Sequence, residues 1–501
     1  MKQAALRALV GVVCAAAMVA AGRSVMAQGE GPRPKADGLS GPSRLEADIL
    51  ALESYRPGYQ FWRQIFTIPD GSIAYGGASD GRLLAVFPSR GDWTDESAWR
   101  DPALAAAVDM SEPLPFNLDD RRTRMAERLE PVVGPVLHNP TRGNFLLPNI
   151  RRYGPFLKEW SAIYERFGVP GEIGLAQAII ESGLEGDRRS EARATGFCQW
   201  LPTNWKQLDR LSPAVLEIRN QTTQAPYCAA YLTILATKYG SFIPALSDHH
   251  SGGVNVGRVI INGERLGGQT TRDRYLLGSR FARDLRAIDL YGFRDLYRTY
   301  GPRSHVYAEM VFGNMATVRQ LIASTAQETI YAMRLPRAMT LSDIVRQTRL
   351  SSDEIRRFNP ALVKRAPAQA NLYLPSYVAA LGADVSFWHQ PANAKYTAAL
   401  TDFLELDAAP ERWDDGSLVP TLRGFEKRFR DTKSEEGSVM ATVLAFFIDY
   451  ADTSGQREIL ADLRADRDVH SLFDRALLRR VQENLTRLDC GQEPDSERST
   501  C

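Results

Sequence analysis

The chain has almost no surplus of charge: 61 lysines and arginines stand against 60 aspartates and glutamates in 501 residues, for a net charge of +1. Nucleic-acid binders normally carry a basic excess, so that class of partner has no support. Cysteine is also scarce, with five in all, and none stands in the Cys-x-x-Cys spacing of a zinc site. Beyond the amino terminus no apolar run approaches the ~20 residues that cross a bilayer. Tandem repeats and low-complexity tracts are absent as well. What remains is an ordinary globular composition, 44% hydrophobic and 24% charged. The length exceeds one hydrophobic core and implies roughly two to four folded units.

The first residues read as an export signal. Lys2 and Arg7 precede an apolar stretch from Ala8 to Ala21, and Val25-Met26-Ala27 offers small residues for cleavage after Ala27. A retained membrane anchor is the alternative, disfavoured by the shortness of the run. Val12 and Val13 are too bulky for lipoprotein processing at Cys14. Residues 1–27 are therefore expected to be a signal peptide, and the mature chain periplasmic. Export leaves Cys198, Cys228, Cys490 and Cys501, an even number in an oxidising compartment. Three pairings are open. Proximity in sequence favours Cys490 with Cys501, closing a polar terminal loop, and Cys198 with Cys228.

Residues 28–44 are rich in glycine and proline and read as a disordered leader. In residues 45–130 two Asp-Gly pairs, Asp70-Gly71 and Asp80-Gly81, lie among β-branched and aromatic residues, which is hairpin chemistry. From Asn149 onward helical spacing takes over. Phe156, Leu157, Trp160, Ile163, Tyr164 and Phe167 share one face, and Gly168-Val169-Pro170 ends that helix. A second helix over Glu172–Ser182 is apolar nearly all round and is expected to be buried. Glu181 stands at its carboxyl end, where the helix dipole disfavours a carboxylate and burial would raise its pKa. Residues 395–490 are helical in pattern. Leu472, Phe473, Ala476, Leu477, Val481, Leu485 and Leu488 track one face there, the core of a small bundle with room for a cell-envelope protein partner.

Glu181 suggests chemistry. Cleaving a glycosidic bond needs an acid that keeps its proton near neutral pH. Ordinary hydrolases add a second carboxylate; Glu185, Asp187 and Glu191 are nearby candidates, though each reads first as a surface charge. Here the sequence becomes recognisable. "IIESGLEGDRRSEARATGFCQWLP" resembles the first signature of family 1 lytic transglycosylase domains, with Glu181-Ser182, Ser190, Ala194, Gly196, Gln199 and Pro202 in register without a gap. The resemblance implies a lysozyme-like fold in which Glu181 is the lone acid/base and Ser182 supports it. It also implies that Ser190 and the stretch Gly196, Phe197, Gln199 line a glycan groove. The nucleophile would be the 6-hydroxyl of the muramoyl sugar, closing a 1,6-anhydro ring, with no cofactor. Tyr231-Leu232 matches a later helix of the family and Tyr275 its later cleft tyrosine. The expected "AYNAG" is instead "ALSDHHSGG", which puts His249 and His250 at the family's tyrosine and asparagine and keeps Gly252. Asp248, His249 and His250 are sequential, point in different directions, and make a poor metal set. By the same resemblance Cys198 and Cys228 fall on elements that pack together, which supports their disulfide.

A second resemblance follows. Residues 329–375, with Tyr331, Thr340-Leu341, Phe358-Asn359-Pro360 and a closing Leu372–Pro375 strand, are similar to a LysM module, a βααβ fold that holds N-acetylglucosamine-containing chains. Ala338-Met339 replaces its usual Gly-Asp. The order looks like that of D-type membrane-bound lytic murein transglycosylases. The expected architecture is mostly α. A lysozyme-like domain spans 131–300, a connecting helix 301–328, a LysM-like module 329–377 and a helical region 378–501. The expected substrate is peptidoglycan glycan strands. A catalytically degenerate wall-binding scaffold and a goose-type hydrolase are the rivals.

Overall fold

The apolar spacing after Asn149 produces a nest of helices. In the computed structural model, which describes residues 41–211, 218–288, 304–381, 392–406 and 417–453, most of the chain is helical. Leu157–Arg166 is a helix that buries Leu157, Trp160, Ile163 and Tyr164; Gly168, at φ +77°, turns the chain. The following helix, Gly171–Ser182, is buried on almost every side. It lies between Leu157–Arg166 and the helix Tyr307–Ser324. Ile173, Leu175 and Ile179 on it are fully buried, each contributing about 1.5–3 kcal/mol of transfer free energy. The helix stops where it must. Gly183 adopts a left-handed conformation (φ +61°), and a Cβ there would stand 2.0 Å from the Phe145 carbonyl oxygen. Glu181 is thereby fixed in the last turn.

Gln221–Tyr239 packs across Leu157–Arg166, and a left-handed Gly240 leads into Phe242–Ser251. Gly253–Arg265 and Thr271–Ile288 pair with each other beyond it. The helix Tyr307–Ser324, expected only as a connector, is integral to this core. It contacts both Gly171–Ser182 and Phe242–Ser251.

The amino-terminal hairpin is present and larger than expected. β1 (Ser72–Gly77) and β2 (Leu83–Pro88) are antiparallel, and β3 (Val136–Pro140) adds to the free edge of β1, giving the order β2-β1-β3. Asp80-Gly81 makes the turn, with Asp80 accepting from the Arg82 amide at 3.0 Å. The other pair turns no hairpin; Asp70 instead accepts from the Asn144 amide at 2.9 Å. Stacked Phe87 and Trp93, with ring centroids 4.9 Å apart, anchor a separate small core with Tyr75 and Trp99. A helix Gly41–Tyr55 begins inside the expected leader. It is ordered because it is tied to distant helices: Arg44 donates to the Leu404 carbonyl at 2.6 Å. Asp48, fully buried, accepts from the Ser241 hydroxyl at 2.6 Å and the Phe242 amide at 2.7 Å.

Residues 330–375 form a βααβ unit. β4 (Ile330–Arg334) pairs antiparallel with β7 (Asn371–Pro375), from Ile330↔Pro375 to Arg334↔Asn371, around helices Leu341–Thr348 and Ser352–Phe358. Between them, two-residue strands β5 (Met339–Thr340) and β6 (Arg365–Ala366) pair. Thr340 caps the first helix in a reciprocal box with Asp343. The unit is bound to the helical core by the Phe156–Phe358 ring contact at 4.8 Å and by Asn220 donating to the Phe358 carbonyl at 3.0 Å. Among the described residues three carboxyl-terminal helices follow: Ala394–Leu404, Leu418–Asp431 and Glu435–Thr453. The last runs along Gln221–Tyr239. The signal segment, the Leu472–Leu488 stripe and the Cys490–Cys501 pair lie outside the described residues.

Candidate active site

Glu181 is a carboxyl in an unusual electrostatic environment. Its side chain is 13% exposed, with one oxygen accepting a hydrogen bond from the Tyr307 hydroxyl. Burial pushes the carboxyl up from 4.5 to about 7, against the downward pull of that hydrogen bond. Tyr307 is itself driven well above its ordinary value by burial and by the Glu181 charge. Near neutral pH the carboxyl is therefore divided between its acid and base forms, the condition for one group to give a proton and later take one back.

The two histidines take separate places, as neighbours on a helix do. His249 turns inward, with Nε2 3.8 Å from the Glu181 carboxylate. Its ring meets Tyr231 edge-on at 6.1 Å. Burial lowers it to about 4, the adjacent His250 adds to that, and a hydrogen bond to the Cys198 carbonyl resists it. At neutral pH His249 is thus an uncharged imidazole. His250 is exposed, and its ring lies flat on Tyr307, with centroids 4.3 Å apart and planes 7° from parallel. Tyr307, which carries this stack, is the residue whose hydroxyl reaches the Glu181 carboxyl. Asp248 faces elsewhere, accepting from Lys238 at 2.8 Å and from the Tyr239 hydroxyl at 2.6 Å. Among the described residues no cluster of histidine, cysteine and carboxylate could hold a metal ion.

The loop from Gly183 to Leu201 is held in a costly conformation. Leu184, Arg193 and Gln199 have positive φ without being glycine, at about 1–3 kcal/mol each. A network over-determines them. Gly196 (φ +79°) leaves room for Gln224, whose amide nitrogen would be 2.0 Å from a Cβ at that position. Gln224 accepts from the Phe197 amide at 3.1 Å and donates to the Gly186 carbonyl at 2.7 Å. Gln199 donates to the carbonyls of Arg188 at 3.1 Å and Gly196 at 3.0 Å. A disulfide between Cys198 and Cys228 pins the loop to the helix Gln221–Tyr239.

The structure distributes the residues singled out in the sequence unevenly. Glu181 and His249 face each other, and His250 joins them through Tyr307. The Ser182 hydroxyl donates to the Ala178 carbonyl at 2.9 Å, so its visible role is within the helix. Ser190 is exposed and accepts from the Ala194 amide at 3.1 Å, closing a turn. Phe197 is fully buried, edge-on to Trp160 at 5.0 Å, and Gln199 is half-buried with its amide on backbone. Tyr275 is 2% exposed and donates to the Ser247 hydroxyl at 2.6 Å. The tyrosine that reaches Glu181 is Tyr307, not Tyr275. Tyr307 opens a helix 126 residues after Glu181, and no local pattern announces that contact. Gln224, whose partners Phe197 and Gly186 lie 27 and 38 residues away, has no local pattern either. Glu185 is paired with Arg188 at 3.1 Å, while Asp187 and Glu191 are exposed. Compared with known protein families and with curated proteins, the chain matches none.

Proposed function

We propose that this protein is a lytic transglycosylase that cleaves the β-1,4 bond between N-acetylmuramic acid and N-acetylglucosamine in peptidoglycan. In this reading the helices around Glu181 form a lysozyme-like domain and the βααβ unit a LysM-like module that holds the strand. The observation that carries the reading is Glu181 itself: a buried carboxyl held at about 7 at the end of an apolar helix, inside the segment that resembles the family signature.

The chemistry follows from that carboxyl. Protonated Glu181 gives its proton to the leaving glycosidic oxygen as the bond to C1 breaks. The carboxylate left behind takes the proton of the muramoyl 6-hydroxyl as that oxygen bonds to C1, and the enzyme returns to its starting state with a 1,6-anhydro product. A second carboxylate is not required. Asp248 is bound to Lys238 and Tyr239 and Glu185 to Arg188, which supports the one-carboxylate route over hydrolysis. Tyr307 steadies the charged form of Glu181 between the two steps, and neutral His249 adds a polar wall without a competing charge.

Mass spectrometry of sacculi digested by the mature protein tests this. Anhydro-muropeptides that vanish with Glu181→Gln are the expected result. Hydrated reducing ends would make it a goose-type hydrolase, and an absence of products would make it a wall-binding scaffold.

A further inference from the structure

The loop that leaves the Glu181 helix has a second face. On it lies a cavity of about 610 Å³, walled by Arg189, Arg193, Lys206 and Arg219, with Asp209 the single acid among its described lining residues and buried Trp205 beneath. The four cations are exposed, and among the described residues none forms a salt bridge with a carboxylate. In a chain whose net charge is only +1, such a local surplus is not a by-product of composition.

The cations are also positioned. Ser190 and Ala194 close the turn between Arg189 and Arg193 by a backbone bond of 3.0 Å and by the Ser190 hydroxyl, and Arg189 bridges to Thr195. Trp205 donates to the Thr195 carbonyl at 3.4 Å, joining this turn to the helix that carries Lys206. Three residues past Thr195, the Cys198 carbonyl accepts from His249 beside Glu181. One rigid loop therefore presents one edge to the acid and the other to a cationic cavity.

We infer that this cavity takes the carboxylates of the peptide stems carried by the muramoyl sugars. The inference rests on the transglycosylase reading. The sugar backbone of such a strand is uncharged, whereas each stem carries several carboxylates against at most one amine. A strand lying over Glu181 therefore brings anionic groups past the same loop. Arginine suits this task, since its planar fork meets a carboxylate with two parallel bonds.

Binding of full-length Glu181→Gln protein to intact glycan strands, and to strands stripped of stems by an amidase, which leaves one lactyl carboxylate per muramoyl sugar in place of the several of each stem, tests the inference without turnover. The expected result is roughly tenfold tighter binding to stem-bearing strands, the scale of two partly screened charge pairs, with the preference fading at about 0.5 M salt. Adding Lys206→Glu and Arg219→Glu should abolish the preference, and the milder pair Lys206→Gln and Arg219→Gln should reduce it. Equal binding of both strands by the parent protein, or a preference that survives both pairs of changes, would overturn the inference. Failure of wild-type protein to cleave either strand would instead strike at the proposed function, because the binding comparison does not depend on cleavage.

Discussion

Replacing Glu181 by glutamine should make the protein more stable, and only above mildly acidic pH. In the folded chain the carboxyl titrates at about 7, against an ordinary 4.5. Below 4.5 both folded and unfolded states hold the proton, and the group imposes no penalty. As pH rises the unfolded chain releases its proton first, so folding must keep the carboxyl protonated or bury a charge. Stability therefore falls with pH until the folded form also ionises near 7, after which the loss is constant. The full difference is about 3 kcal/mol, which needs little discount for solvent because the side chain is 13% exposed. Glutamine has nearly the same shape, can still accept from Tyr307, and does not titrate. Urea unfolding of wild type and Glu181→Gln should give similar stabilities near pH 4.5, and an advantage of about 3 kcal/mol to the variant at pH 8. A difference between the two proteins that stays constant over this range would refute a buried, raised carboxyl, whatever the substrate proves to be.

Three other outcomes follow from the same geometry. Tyr307→Phe removes the hydrogen bond that favours ionised Glu181. Under the proposed function, the alkaline limb of the cleavage profile, set by loss of the acid's proton, should then move upward by roughly half to one pH unit, read from sacculus digestion between about pH 5 and 9. Cys228→Ser opens a disulfide whose cysteines are 30 residues apart and should cost about 3–4 kcal/mol. Intact-mass measurement of the wild type after alkylation should find Cys198 and Cys228 protected until reduction. Gly196→Ala places a Cβ into the Gln224 amide at a positive φ and should destabilise the loop by about 2 kcal/mol or more, seen in urea unfolding and as faster proteolysis at the loop.

What the sequence disclosed and what it withheld divide along a physical line. The helix Leu157–Arg166 and the helix of Glu181 were legible because their burial is written as local periodicity, and the break between them as glycine and proline. The hairpin was legible from Asp80-Gly81 because a tight turn needs its residues in place. Asp70-Gly71 reads identically, but its carboxylate serves the distant Asn144 amide. β3, Tyr307 and Gln224 all act across long separations, and a residue that pairs far along the chain leaves no periodic trace. The resemblance to a family signature singled out Glu181, and proximity together with that resemblance favoured pairing Cys198 with Cys228, a disulfide that the structure contains. The same resemblance gave Tyr275 as a later cleft tyrosine; in the structure Tyr275 bonds Ser247, and Tyr307, which no local pattern marks, bonds Glu181.

The cost of the site is itself an argument about its purpose. Glu181 sits at the end of the helix where the dipole opposes a negative charge, in surroundings that hold its carboxyl at about 7. An apolar residue of similar size would avoid that penalty. The adjoining loop adds Leu184, Arg193 and Gln199 in left-handed conformations, which only a disulfide and a dense backbone network keep in place. Asp248 shows another way in which this fold buries a carboxylate, by giving it a lysine and a tyrosine. Glu181 has a hydroxyl and a neutral imidazole instead, partners that leave its proton exchangeable. Strain and desolvation thus meet at Glu181 and the loop beside it, a pattern that suits a group kept for proton transfer rather than for stability.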